Sequence, residues 1–297
     1  MKDSLGMIQT MRDDASLYKC YRDLKEEAES LARSPGNFKA LWKVLISSMI
    51  VWELSGRTVC HSGTIPPPTQ IQSGKSGGYR GTIFPDILLR TNHRHPGSTR
   101  ALERRDFCYP LLGELKRSIP QSLLDDPSML SKGKPGYNAL RRLLKSAANQ
   151  VIHQAILAAL GDYIAPSTLQ LVIAAGSFWS HAVVDGVAFR TAVRADNSLT
   201  ERTTAIELAL INSRQADGYE EGLAVDDLHR AGDWISSLLG MDMELRPTGD
   251  LPEYLNDLVT WERVTVLDSE ASDKALDAVA SSVRRTMREM VDSHCNP

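Results

Sequence analysis

"FPDILLR", residues 84–90, and "FCYPLLGELKR", residues 107–117, are the two stretches on which the reading of this chain turns. Each is a short apolar run rich in strand-forming residues, and each carries charge at one end. Pro85 removes a ladder donor where the first run begins, which suits the start or the edge of a strand. Glu114 and Lys116 are two apart, so on a strand their side chains share one face. If the two strands are neighbours, Asp86, Glu114 and Lys116 converge.

The surroundings predict a central sheet with helices. "TNHRHPGSTRALERRD" between the two runs is polar and basic and reads as a loop. "SIPQSLLDDPSMLSKGKPGY" after the second is a polar insertion with several breakers. "NALRRLLKSAANQVIHQAILAALGDYI" has apolar residues at helical spacing and no internal proline, so a helix is expected, with Gly161 as its stop. "TLQLVIAAGSFWSHAVVDGVAFRTAVR" reads as one or two strands with turns near Gly176 and at Asp185-Gly186. Upstream, "RDDASLYKCYRDLKEEAESLAR" and "FKALWKVLISSMIVWEL" have helical spacing. "SGRTVCHSGTIPPPTQIQSGKSGGYRG" is rich in Gly, Pro and Ser and reads as a loop excursion. Downstream, "TERTTAIELALINSRQ", "VDDLHRAGDWISSLLG" and "SEASDKALDAVASSVRRTMREMVDSH" read as helices, with one possible strand at "ERVTVLD". The fold class is α/β or α+β, a central mixed sheet flanked by helices. Three parts are expected: a helical segment over 1–39, a core over 40–195 and an acidic, mainly helical extension over 196–297.

Composition is that of a globular protein: 297 residues, 42% hydrophobic, 24% charged, net charge −3. Charge is unevenly spread. Residues 75–146 hold 14 basic and 6 acidic residues, whereas 196–297 hold 9 basic and 21 acidic ones. That asymmetry suits a polyanion-facing centre. The four cysteines are far apart and do not form a disulfide framework, which favours a reduced, intracellular setting. The N-terminus has no apolar core of a secretory signal, and "LWKVLISSMIVWEL" is short for a bilayer and interrupted by Lys43.

Two carboxylates and a lysine are the smallest protein kit for metal-assisted phosphodiester hydrolysis. Mg²⁺ takes one or two protein carboxylates and keeps several waters. A lysine can offset charge developing on the phosphoryl group. "FPDILLR … GELKR" resembles the PD-(D/E)XK nuclease superfamily, the restriction-endonuclease-like fold, over roughly residues 40–190. The resemblance implies a Mg²⁺-dependent nuclease, with Mn²⁺ as a substitute, acting on DNA in preference to RNA. It implies Asp86 and Glu114 as metal ligands and Lys116 as the residue assisting the attacking water. A helix bearing Glu53 before the first strands matches that family's core and adds a further metal or water contact. The helix after the E-x-K strand carries "AANQVIHQ", which places Gln150 and Gln154 towards the site, Gln150 orienting substrate or water. Such folds often act as dimers when they cut both strands.

Nucleic-acid contacts are expected from Arg90, Arg94, Arg104 and Arg105 in the first loop and from Lys132, Lys134, Arg141, Arg142 and Lys145 after the E-x-K run, since phosphate contacts supply affinity without sequence information. Three other readings compete. "SHAVVDGVAFR" contains an H-x-x-x-D-G pattern resembling that of chloramphenicol-acetyltransferase-like acyltransferases, with His181 as general base; its plainer reading is an apolar hairpin turning at Asp185-Gly186. Cys60, His61, His93, His95 and Cys108 are zinc-ligand types at irregular spacing. The third is a nuclease-like module that binds nucleic acid or protein without cutting.

Overall fold

The computed structural model describes residues 42, 85–92, 107–124, 126–161, 163–201, 243, 245, 251–267 and 269–295. Five strands form one mixed open sheet in the order β1-β2-β3-β4-β5. They are β1 (Ile87–Asn92), β2 (Phe107–Lys116), β3 (Thr168–Ala175), β4 (Phe178–Asp185) and the short β5 (Thr265–Val266). The long helix α1 (Pro135–Leu160) connects β2 to β3. Because of that crossover, β2 and β3 are parallel, while β1/β2, β3/β4 and β4/β5 are antiparallel. The helices α2 (Gly186–Ala195), α3 (Asn197–Glu201) and α4 (Tyr254–Leu258) lie between β4 and β5, and α5 (Glu270–Cys295) ends the described chain. The class is α+β. No helix among the described residues is long and apolar enough to cross a membrane.

Alternation along the strands assigns a helix to each face. Leu88, Leu112, Leu171, Ile173, Phe178 and Val184 are buried in one cluster with Leu144, Val151, Ala155 and Ile156 of α1. The residues between them point the other way. There Gln170 Nε2 donates to Ser282 Oγ at 2.8 Å and Trp179 Nε1 to Ser272 Oγ at 2.9 Å, both on α5. Leu276, Val279, Ala280, Val283 and Met287, buried on α5, supply its apolar stripe. The acidic segment 196–297 therefore contributes both a strand and a covering helix to the sheet. Burying an aliphatic side chain of this kind contributes about 1.5–3 kcal/mol.

Helix α1 is expected from its spacing and starts three residues earlier than the run at Asn138 suggests, at Pro135. Proline suits the first helical turn because its missing N–H has no intrahelical partner there. At the other end, guanidinium groups of α2 satisfy the last carbonyls. Arg194 donates through Nε to Ala159 O at 2.9 Å and through Nη2 to Gly161 O at 2.6 Å. Arg190 reaches Gly161 O and Tyr163 O. Positive charge at a helix C-terminus is favourable as well as satisfying the orphan carbonyls.

The β3–β4 hairpin turns at Gly176-Ser177, as its glycine suggests. Gly176 has φ +60°, and a Cβ there would lie 2.7 Å from Ser118 Cβ. Its N–H donates to Lys116 O at 3.1 Å, so the turn rests on the end of β2. Trp42 is fully buried against the same place: its Nε1 donates to Gly176 O at 3.2 Å, and its ring meets Trp179 edge-on. Asp185-Gly186, expected as a second hairpin turn, is instead a strand-to-helix junction. Asp185 Oδ1 accepts from Ala188 N at 2.8 Å and caps α2. Glycine follows because a Cβ at 186 would run into the Pro166 carbonyl.

Candidate active site

Antiparallel pairing of β1 with β2 sets Ile87 opposite Gly113, and the same register carried one residue further sets Asp86 opposite Glu114. Cross-strand partners share a face, so both carboxylates point to the α1 side, and Lys116, two residues on, joins them. Asp86 is held at the mouth of the sheet: its Oδ2 accepts from Leu115 N at 3.0 Å. That bond takes up a backbone donor just where β1 begins, after Pro85, which has none to offer.

Helix α1 supplies the other wall. Lys116 Nζ donates to Gln150 Oε1 at 2.7 Å, and Gln154 Nε2 donates to Glu114 Oε2 at 2.8 Å. The match follows from geometry. Residues four apart on a helix rise about 6 Å, and residues two apart on a strand about 6.6 Å. Running α1 antiparallel to β2 therefore lets the Gln150–Gln154 pair meet the Lys116–Glu114 pair one to one. The chemistry is also matched: an amide oxygen faces the ammonium and an amide nitrogen faces the carboxylate.

The four side chains are nearly enclosed, with Glu114 2% exposed and Lys116 5%. Lys116 Nζ lies 3.7 Å from Glu114 Oε1, beyond hydrogen-bond distance. The two opposite charges thus attract without closing into a direct bond, because each is tied to a glutamine. Asp86, at the strand opening, is half-buried and forms the accessible side of the group.

The residues fit a hydrated Mg²⁺ better than zinc. Two carboxylates from adjacent strands are hard-oxygen ligands of the number Mg²⁺ uses. A further feature points the same way: Gln154 Oε1 is buried and accepts no hydrogen bond from the described residues. No group of three or more His, Cys, Asp or Glu residues gathers among the described residues. Cys108, the described member of the Cys/His set, is buried on β2; Cys60, His61, His93 and His95 lie outside the described residues.

The expected nucleic-acid contacts are spread out. Lys132 and Lys134 are exposed just before α1, and Arg141, Arg142 and Lys145 lie on its first turns, on the Lys116 side of Gln150. Arg90 is on β1, four residues from Asp86, with its guanidinium 4.6 Å from the Phe107 ring centroid. That stacking uses one of its faces. Glu53, Arg94, Arg104 and Arg105 fall outside the described residues. His181 is 7% exposed on the α5 face, stacked on Trp179 at 5.7 Å between ring centroids. Burial holds its imidazole below the usual histidine range, against a smaller opposing pull from Glu262. An apolar recess of about 360 Å³, including its mouth, lies between α1, β2 and the start of α2, lined by Tyr109, Leu112, Ala155 and Phe189 among others, and none of the site residues borders it.

Comparison with protein-family models, with curated proteins and with solved structures finds no match to this chain. The chemistry of the site therefore rests on its own residues.

Proposed function

We propose that this protein is a metal-dependent nuclease of the PD-(D/E)XK type, with DNA as its preferred substrate. The observation that carries the reading is the convergence of Asp86, Glu114 and Lys116 on one face of the β1–β2 pair. The order of elements also supports it: an antiparallel pair carrying P-D and E-x-K, a long helix, then a strand parallel to the second of the pair. Asp86 and Glu114 would hold the cation, which supplies charge neutralisation at the scissile phosphate and acidifies water when bound.

The chain's own residues have defined tasks in this reading. Lys116 presents an ammonium towards a phosphoryl oxygen as negative charge builds on it, in surroundings where low water content strengthens the attraction. Gln150 aims that ammonium and keeps it from collapsing onto Glu114. The Leu115 N–H fixes Asp86 so that its carboxylate is in place before substrate arrives. The basic first turns of α1 lie on the Lys116 side and give a path for the phosphate backbone.

The enclosure of Glu114 and Lys116 favours a second reading, a nuclease-like module in which the four-residue polar group locks α1 to the sheet and the basic surface binds without cutting. A cleavage assay separates the two. Single- and double-stranded DNA and RNA are incubated with the full chain in Mg²⁺, Mn²⁺ or EDTA, beside Asp86→Ala and Lys116→Ala. The nuclease reading expects metal-dependent products that both variants lose. Retained binding with no products in any metal would leave the binding module.

A further inference from the structure

Gln154 has a second polar end that the Glu114 contact does not use. Its Nε2 donates to Glu114 Oε2 at 2.8 Å, while its Oε1 is buried without a donor among the described residues, in a side chain 1% exposed. A buried acceptor left unpaired is costly, so such atoms are few in folded proteins. Turning the amide over is no remedy. It would set the oxygen against a carboxylate oxygen and remove the hydrogen bond that Glu114 now receives. Glu114 therefore fixes the orientation, and the orientation leaves an oxygen waiting for a donor next to the Glu114 carboxylate. Lys116 is held by the other glutamine at 2.7 Å.

A hydrated divalent cation brings that donor. Mg²⁺ sheds its waters reluctantly, and those it keeps donate outward to oxygens around the site. We infer that Gln154 is an outer ligand of the cation at Asp86 and Glu114, its Oε1 accepting from a water of the hydration shell while its Nε2 orients Glu114. The inference rests on the nuclease reading of the site and gives Gln154 a positioning role with two separate arms.

The test is Mg²⁺ binding by calorimetry, without nucleic acid, on the full chain and on Asp86→Asn, Gln154→Met and Gln154→Glu, with thermal unfolding in EDTA and in Mg²⁺ alongside. Outer partners of metal sites are worth about 10–100-fold in affinity, so Gln154→Met is expected to weaken Mg²⁺ binding by about tenfold or more. Gln154→Glu loses the donor to Glu114 but keeps an acceptor oxygen and adds a negative charge at the site, so it is expected to bind Mg²⁺ more tightly than Gln154→Met and to gain more thermal stability from Mg²⁺. Equal weakening in both Gln154 variants would reduce the residue to a holder of Glu114 and overturn the inference, as would unchanged binding in Gln154→Met. Should Gln154→Met fail to fold, loss of binding in Gln154→Glu overturns it alone. If Asp86→Asn loses binding and Gln154→Met does not, the inference falls and the metal site stands. If the parent chain binds no Mg²⁺, both fall.

Discussion

Replacing Gln150 with leucine removes the acceptor that Lys116 Nζ meets at 2.7 Å while keeping much of the side chain's volume. In an exposed site the change would be nearly silent. Here both side chains are at most 5% exposed, so water does not take the amide's place. A hydrogen bond to a charged group contributes about 1.5–3 kcal/mol, and the 3.7 Å approach to Glu114 does not replace it. The expected loss for Gln150→Leu is therefore about 2 kcal/mol. A double-mutant cycle isolates the pair from background effects. Lys116→Met is made alone and together with Gln150→Leu, and all four proteins are unfolded in urea. Since Lys116→Met removes the same hydrogen bond from the Gln150 side, each single change costs stability and the second change adds little. A coupling energy of about 1.5–3 kcal/mol is expected. Additive losses, with coupling below about 0.5 kcal/mol, would show that the glutamine does not hold the lysine and would refute the picture of a matched helix–strand pair.

Other consequences are quicker to check. Gly176→Ala combines a left-handed backbone position with a Cβ 2.7 Å from Ser118; a loss of more than about 1 kcal/mol is expected in urea unfolding. Arg194→Ala removes two hydrogen bonds from the C-terminal carbonyls of α1, for an expected loss of about 1–3 kcal/mol, with Arg194→Lys recovering part of it. His181 has a folded pKa below its ordinary 6.5, so the neutral ring contributes stability that is present above that value and lost as pH falls through the folded pKa. The thermal midpoint should therefore drop more steeply below pH 6.5 in the parent than in His181→Gln.

Much of this architecture is legible in the residues because it is local. The E-x-K strand, the Pro-Asp opening of β1, the 3.6-residue period of α1 and the glycine of the β3–β4 turn each report on a few neighbouring positions. The candidate site is legible for the same reason: i, i+2 on a strand and i, i+4 on a helix are rules of single elements. The partner choice within it is not. Which glutamine meets Lys116 and which meets Glu114 depends on α1 running antiparallel to β2 at one longitudinal offset. Asp185-Gly186 shows how a dipeptide can mislead. Its preference for hairpin turns is a statement about isolated backbone, whereas here the carboxylate caps α2 and the glycine makes room for Pro166. Among its described residues the run "ERVTVLD" yields only Thr265–Val266 as strand, paired with Phe178 and Trp179 of β4, while Glu262 meets β4 through a separate bond from its N–H to His181 O at 2.8 Å. The docking of α5 on the sheet through Gln170–Ser282 and Trp179–Ser272 joins residues about a hundred positions apart, beyond the reach of local pattern.

The most direct test of the central claim is single-turnover cleavage of end-labelled DNA, with protein in excess and Mg²⁺ present, by the parent chain and by Lys116→Met. Both proteins are first checked for folding and for DNA affinity. If Lys116 offsets charge in the transition state, its removal should slow cleavage by about 10²–10³-fold, as loss of one such charge-stabilising group does elsewhere, while affinity stays close to that of the parent. Cleavage at an undiminished rate by a folded Lys116→Met protein would contradict the assignment of this site to phosphodiester hydrolysis.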